Sequence, residues 1–255
     1  MLVSNKYVTK IGFMDSGIGG LNLLSKAVET FPIYNYVYYG DNKNAPYGNK
    51  SAWELKKLAT IGIEKLLNEN AKIIVVACNT LSTTILDYLK AISPVPIIPT
   101  LPVTTNLDYK NKVLLATPKT ASSSYVINNF SNYTIVPMPF LASEIERFIN
   151  EPYKISLEKD LLSVPEGVDY IYLGCTHYIF LKDKITKILN AKVEDNAISV
   201  CNLLDKELKK TPLNNGFSKP TITFIGENCE YNLNVFRGLL FPKKTHKIIS
   251  NPKNI

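Results

Sequence analysis

Short, unbroken apolar runs recur along the chain, separated by stretches with helical periodicity. Runs such as Ile73–Val76 and Val113–Ala116 carry no polar residue on either side of the pleat. Such a strand needs cover on both faces, which a parallel sheet sandwiched by helices supplies. The expected strands are Lys10–Met14, Tyr36–Tyr39, Ile73–Ala77, Val95–Ile98, Val113–Ala116, Thr134–Val136, Tyr170–Leu173 and Ile222–Ile225. The clearest helix is Ser51–Asn68, where Ser51 and Glu54 have the spacing of a capping box. Further helices are expected at Leu21–Phe31, Leu81–Ile92, Leu141–Asn150, Phe180–Leu189, Ile198–Leu208 and Tyr231–Leu240. Alternating strand and helix predicts an α/β fold with parallel sheets.

One echo within the chain suggests two similar halves. The run 71–80, AKIIVVACNT, resembles 168–177, VDYIYLGCTH. Each is an apolar strand ending in a small residue, a cysteine and polar groups, and each leads into a helical stretch. Ligands of open α/β sheets bind beyond the C-terminal strand ends. Two halves facing each other would set Cys78 and Cys175 on opposite walls of one cleft. Prolines crowd at 94, 96, 99 and 102, and TPLNNGFSKP at 211–220 reads as a return crossing. The expected domains are therefore 1–98 plus 212–255, and 99–211. The expectation is two pseudo-symmetric α/β domains, each a parallel-type sheet flanked by helices, with the active site between them.

Composition excludes several classes. With 45% apolar and 20% charged residues in 255, the chain is an ordinary globular one, not a disordered one. No apolar run approaches a membrane span, and MLVSNKYVTK has no apolar core of a secretory signal. The expected compartment is the cytoplasm. Net charge is +7, nearly all lysine; Arg147 and Arg237 are the two arginines. Arginine is the usual reader of base edges, so no nucleic-acid partner is expected. The four cysteines stand 97, 26 and 28 residues apart, with no zinc-ligand spacing. Cys201 and Cys229 read as small buried hydrophobes.

Several loops carry groups able to do chemistry. Asp15-Ser16-Gly17-Ile18-Gly19-Gly20-Leu21 is a strand–turn–helix junction, but neither a GxGxxG nor a P-loop pattern. It reads equally as an anion-binding turn or as a tight turn capped by Asp15. In Asp41 to Gly48, proline and glycine shape a turn and Tyr47 offers a hydroxyl. Cys78 and Cys175, at strand ends, are expected to be partly exposed, with helix dipoles favouring the thiolate. His177, two residues past Cys175, suits proton transfer near neutrality. His246, in FPKKTHK, reads as a surface residue. Thr117 and Thr120 follow a strand, as a carboxylate site or a helix cap.

Taken together, five segments in order resemble the glutamate racemase family of the aspartate/glutamate racemase superfamily. They are DSGIGGL (15–21), YYGDNKNAPYG (38–48), VVACNT (75–80), TPKT (117–120) and LGCTHY (173–178). The resemblance implies a racemase without cofactor or metal that interconverts L- and D-glutamate for peptidoglycan synthesis. It implies a base on one face of the substrate Cα and a proton donor on the other. By motif position Cys78 is the base acting on D-glutamate and Cys175 the base acting on L-glutamate. Asp15 assists Cys78, His177 assists Cys175, and Glu146, in PFLASEIE, is a further acid. Substrate contacts fall on Ser16, Pro46, Tyr47, Gly48, Asn79, Thr80, Thr117, Thr120 and Thr176. A homodimer is also implied. Two alternatives stay open. An aspartate or broader amino-acid racemase is one, because a single methylene discriminates by roughly 1–3 kcal/mol. A regulatory binding protein of the gyrase-inhibitor kind is the other.

Overall fold

The computed structural model describes residues 8–105, 107–216, 219–239 and 246–252. Among the described residues ten strands form two sheets, and every pairing between them is parallel. In chain order they are β1 Lys10–Asp15, β2 Tyr36–Gly40, β3 Ala71–Val76, β4 Ile97–Pro99, β5 Lys112–Ala116, β6 Thr134–Pro137, β7 Tyr170–Gly174, β8 Lys192–Glu194, β9 Thr221–Ile225 and β10 Lys247–Asn251. The first sheet has the order β10-β9-β2-β1-β3-β4 and the second β6-β5-β7-β8. The chain leaves the first sheet after Pro99, builds the second, and returns at Thr221.

The unbroken apolar runs are explained by what lies above and below each strand. Side chains alternate across a sheet. On β3, Ile73 and Val75 join one core while Ile74 and Val76 join another, beneath the helix Ala52–Asn68. On β5 and β7, Val113, Leu115, Ile171 and Leu173 join the first of these cores. Their neighbours Leu114, Tyr170 and Tyr172 form a third. The largest core thus includes side chains from both sheets. Helices also pack across the halves, with Leu21–Thr30 against Ala197–Leu208 and Asn79–Thr84 against Pro118–Ala121.

The capping box is present. Glu54 N donates to Ser51 Oγ at 3.2 Å, and Ser51 N donates to Glu54 Oε2 at 2.9 Å. Other expectations need correction. Leu81–Ile92 is not one helix but two, Asn79–Thr84 and Leu86–Ile92, broken at Ile85 (φ −134°, ψ 25°). The run Thr83-Thr84-Ile85 is β-branched and stiff, and Thr83 Oγ1 donates back to the Asn79 carbonyl. The edge strands β8 and β10 were not anticipated. β8 has three residues, two of them charged, and β10 has polar residues at both ends and is nowhere fully buried. Leu240, the last residue of the expected final helix, lies outside the described residues, as do 1–7, 106, 217–218, 240–245 and 253–255 of the expected domains and signal reading. His246 is not a surface residue. It is buried, its Nε2 donates to the Tyr34 carbonyl at 3.0 Å, and its ring lies 5.8 Å from that of Tyr36. Among the described residues, no helix is long and apolar enough to cross a membrane.

Two substitutions should separate core packing from capping in this fold. Ile74→Ala, at a fully buried position, should lower the unfolding free energy by about 2–5 kcal/mol. Ser51→Ala, at the exposed helix start, should cost about 1 kcal/mol. Urea denaturation of the two variants reads the difference.

Candidate active site

Parallel pairing places all strand C-termini of a sheet on one side. On the first sheet, Asp15 ends β1, and Ala77-Cys78 follow β3, with Ala77 N bonded to the Met14 carbonyl at 2.8 Å. On the second, Thr117 follows β5 and Cys175 follows β7. These ends meet around one small, nearly closed pocket. It is lined by Ser16, Pro46, Tyr47, Gly48, Cys78, Asn79, Thr80, Thr117, Ala142, Cys175, Thr176 and His177. Of the expected site residues, Asp15, Glu146 and Thr120 stand just behind this lining.

The two thiols have unlike surroundings. Cys175 Sγ lies 3.7 Å from His177 Nδ1, and His177 Nε2 lies 2.6 Å from Glu146 Oε1. An ionised carboxylate only accepts, so the Nε2 proton points to Glu146 and Nδ1 is left to take a proton from the thiol. His177 is fully buried, which by itself favours the neutral ring. The bonds to Cys175 and Glu146 and their charges outweigh that and hold its pKa well above the usual value. Glu146 is fixed in turn by the Ile18 N–H at 2.7 Å.

The glycines of the Asp15–Leu21 turn explain how Glu146 and His177 come so close. A Cβ on Gly17 would sit 1.7 Å from Glu146 Oε1, and one on Gly19 would sit 2.5 Å from His177 Nδ1. The turn does receive an anion, but that anion is a side chain of this chain.

Cys78 has no imidazole beside it. Its neighbour is Asp15, whose Oδ2 accepts the N–H groups of Gly20 at 2.9 Å and Gly17 at 3.3 Å. Asp15 Oδ1 is buried and has no partner among the described residues. Burial pushes the Asp15 pKa up, against the nearby charge of His177. The expectation of partly exposed thiols is overturned, and for Cys78 so is that of easy ionisation. Cys78 is 5% exposed and Cys175 6%. Burial raises the Cys78 pKa above its ordinary range, the Asp15 charge raises it further, and the helix N–H groups of Leu81 and Thr80 recover only part. The six-residue helix Asn79–Thr84 is too weak a dipole to offset desolvation.

The other lining residues are hydroxyls and amides. Thr80 Oγ1 lies 3.1 Å from Thr117 Oγ1 and 3.3 Å from Thr120 Oγ1. Thr117 also caps the helix Pro118–Ala121, as one of the two readings of this segment expects. Asn79 Nδ2 donates to the Thr100 carbonyl and to Asn196 Oδ1, and its own Oδ1 is left without a partner among the described residues. Tyr47 corrects another expectation. Its hydroxyl donates to Asp41 Oδ2 at 2.6 Å, so it is already committed. Asn196, Asp41 and Ala142 were not anticipated. Asn196 and Ala142 lie outside the five matching segments, and Asp41 acts only through Tyr47.

Two thiols on one cavity, one served by a histidine and one by a carboxylate, can take a proton from one side of a carbon and return it on the other. That is the equipment of an amino-acid racemase. No family model matches the chain. A glutamate racemase of Clostridium kluyveri is 39% identical over 225 residues, 82% of this chain and 88% of that protein. One of Clostridium botulinum is 34% identical over 242 residues, 86% of this chain and 91% of that protein. The glutamate racemase of Francisella tularensis, solved in complex with D-glutamate, matches with a TM-score of 0.75 at 25% identity. That match covers 94% of this chain and 96% of the other. The chain belongs to the glutamate racemase family.

The Glu146–His177 contact has a signed consequence for pH dependence. A histidine whose folded pKa is raised contributes stability that is fully present below the unfolded value, about 6.5, and lost as pH rises through the folded value. Glu146→Gln removes the charge, so the His177 pKa should fall and that pH-dependent contribution should shrink. Imidazole titration by NMR, alongside urea unfolding at several pH values, checks both.

Proposed function

We propose that this protein interconverts L- and D-glutamate by proton transfer between Cys78 and Cys175. The observation that carries the reading is that both thiols, from corresponding strand ends of two sheets, line the same cavity. From L-glutamate, the Cys175 thiolate takes the Cα proton and the electron pair passes into the α-carboxylate. Cys78 then delivers its own proton to the opposite face. The reverse direction starts with Cys78 as base. Each turnover leaves the two thiols in exchanged protonation states, and a proton exchange with solvent restores them.

The raised Cys78 pKa suits its part in the first direction, because that thiol must arrive protonated. His177 takes the Cys175 proton and stays beside the thiolate as imidazolium, with Glu146 behind it. Asp15 assists Cys78 as the nearest charge. The substrate carboxylates are held by hydroxyls and N–H groups, from Ser16, Gly48, Thr80, Thr117 and Thr176, with Thr120 fixing the two threonines it touches. Asn79 accepts from the substrate ammonium, a role supported by the absence of another partner for its Oδ1 among the described residues. Tyr47 and Pro46 contribute wall and backbone. The cleft lies between domains 1–98 plus 212–255 and 99–211, a division supported by the two separate sheets. The D-glutamate bound in the Francisella relative supports the substrate. Membership in a bacterial enzyme family supports a cytoplasmic role in supplying D-glutamate for peptidoglycan, and the protein acts as a homodimer.

The test is turnover of pure L- or D-glutamate followed by circular dichroism, with solvent deuterium counted at Cα. Wild-type protein should racemise both without added pyridoxal phosphate. Cys78→Ser and Cys175→Ser should each lose at least about 100-fold in kcat. Turnover retained in either variant overturns the reading.

A further inference from the structure

The contacts behind His177 continue past Glu146 into the first sheet's half. Asn42 Nδ2 donates to Glu146 Oε2 at 3.4 Å, and Asn232 Nδ2 donates to Asn42 Oδ1 at 2.8 Å. The carboxylate, an acceptor only, dictates how both amides are turned. Asn42 must present its NH2 to Glu146 and its oxygen away. Asn232 must then meet that oxygen with its own NH2.

Asn232 bears a cost for this. It is fully buried, and its Oδ1 has no partner among the described residues. An apolar side chain of similar size would fill the space without an orphaned acceptor. The surroundings are also shaped for the amide. A Cβ on Gly40, the last residue of β2, would lie 2.7 Å from Asn232 Nδ2. The adjacent Tyr231 donates its hydroxyl to the Glu146 carbonyl at 3.0 Å. The helix Cys229–Leu239 therefore holds the Glu146 backbone directly and its carboxylate through Asn42.

We propose that Asn42 and Asn232 are positioning residues for proton transfer at Cys175, keeping the Glu146 carboxylate turned onto His177. The proposal rests on the roles of Cys175 and His177 given above. Neither asparagine is among the residues lining the cavity, so their effect passes through Glu146. The titratable groups facing His177 are Cys175, Glu146 and Asp15, and Glu146 also faces Tyr38 and Tyr231.

The experiment is an NMR titration of the His177 imidazole in wild type, Asn42→Ala, Asn232→Leu, Glu146→Gln and the double variant Asn42→Ala with Glu146→Gln. Each asparagine variant should lower the imidazole pKa by about half a pH unit or more, a part of the larger fall in Glu146→Gln. The double variant should fall no further than Glu146→Gln alone, because the asparagine acts only through the carboxylate. The loss in kcat/KM for glutamate should follow the same order. An unmoved titration in both asparagine variants, or additive falls in the double variant, overturns the proposal. If Asn232→Leu fails to fold, Asn42→Ala, on a half-buried loop, decides the matter by itself. If wild-type protein racemises no glutamate, the functional reading falls while the titration still decides the network.

Discussion

Parallel strand pairing is the constraint from which the site follows. In a parallel sheet every C-terminal end lies on the same side, so side chains far apart in sequence meet without special loops. Here the rule operates twice. Asp15 and Cys78 stand at adjoining strand ends of one sheet, and Thr117 and Cys175 at adjoining strand ends of the other. A shared core of both sheets then turns the two rows of ends toward one another. The cleft is a consequence of how the cores pack, and the thiols come with it.

What the fold does not make symmetric is the electrostatics. Cys175 has an imidazole that is itself tied to a carboxylate, so its proton has somewhere to go. Cys78 has a buried carboxylate and no base in contact, and both burial and the Asp15 charge keep the proton on sulfur. An imidazole stands beside one thiol, while burial and a carboxylate charge raise the pKa of the other. A reaction that needs an acid and a base at the same moment is served by that difference.

The elements that sequence patterns revealed are those whose side chains decide their own environment. Continuous apolar runs marked β1, β2, β3, β5 and β7, because a strand covered twice admits few polar residues. The edge strands β8 and β10 escaped because partial cover leaves no run to see. At the site, matching segments pointed to both thiols, His177 and the ring of small polar groups. Burial did not follow from the motifs, so the Cys78 pKa was expected on the wrong side of its ordinary value. The purpose of Gly17 and Gly19 was hidden too. A glycine made necessary by a side chain 129 residues away, as Gly17 is by Glu146, leaves no local signal. The same is true of Asn42 and Asn232, which have meaning only through a carboxylate on another strand's helix.

The account turns on two sulfurs addressing one carbon from opposite sides, and a structure of the protein with D-glutamate bound measures that directly. It predicts the Sγ atoms of Cys78 and Cys175 on opposite faces of the substrate Cα, each about 3.5 Å from it. A substrate lying against one thiol alone, or with both sulfurs on the same face, would contradict it.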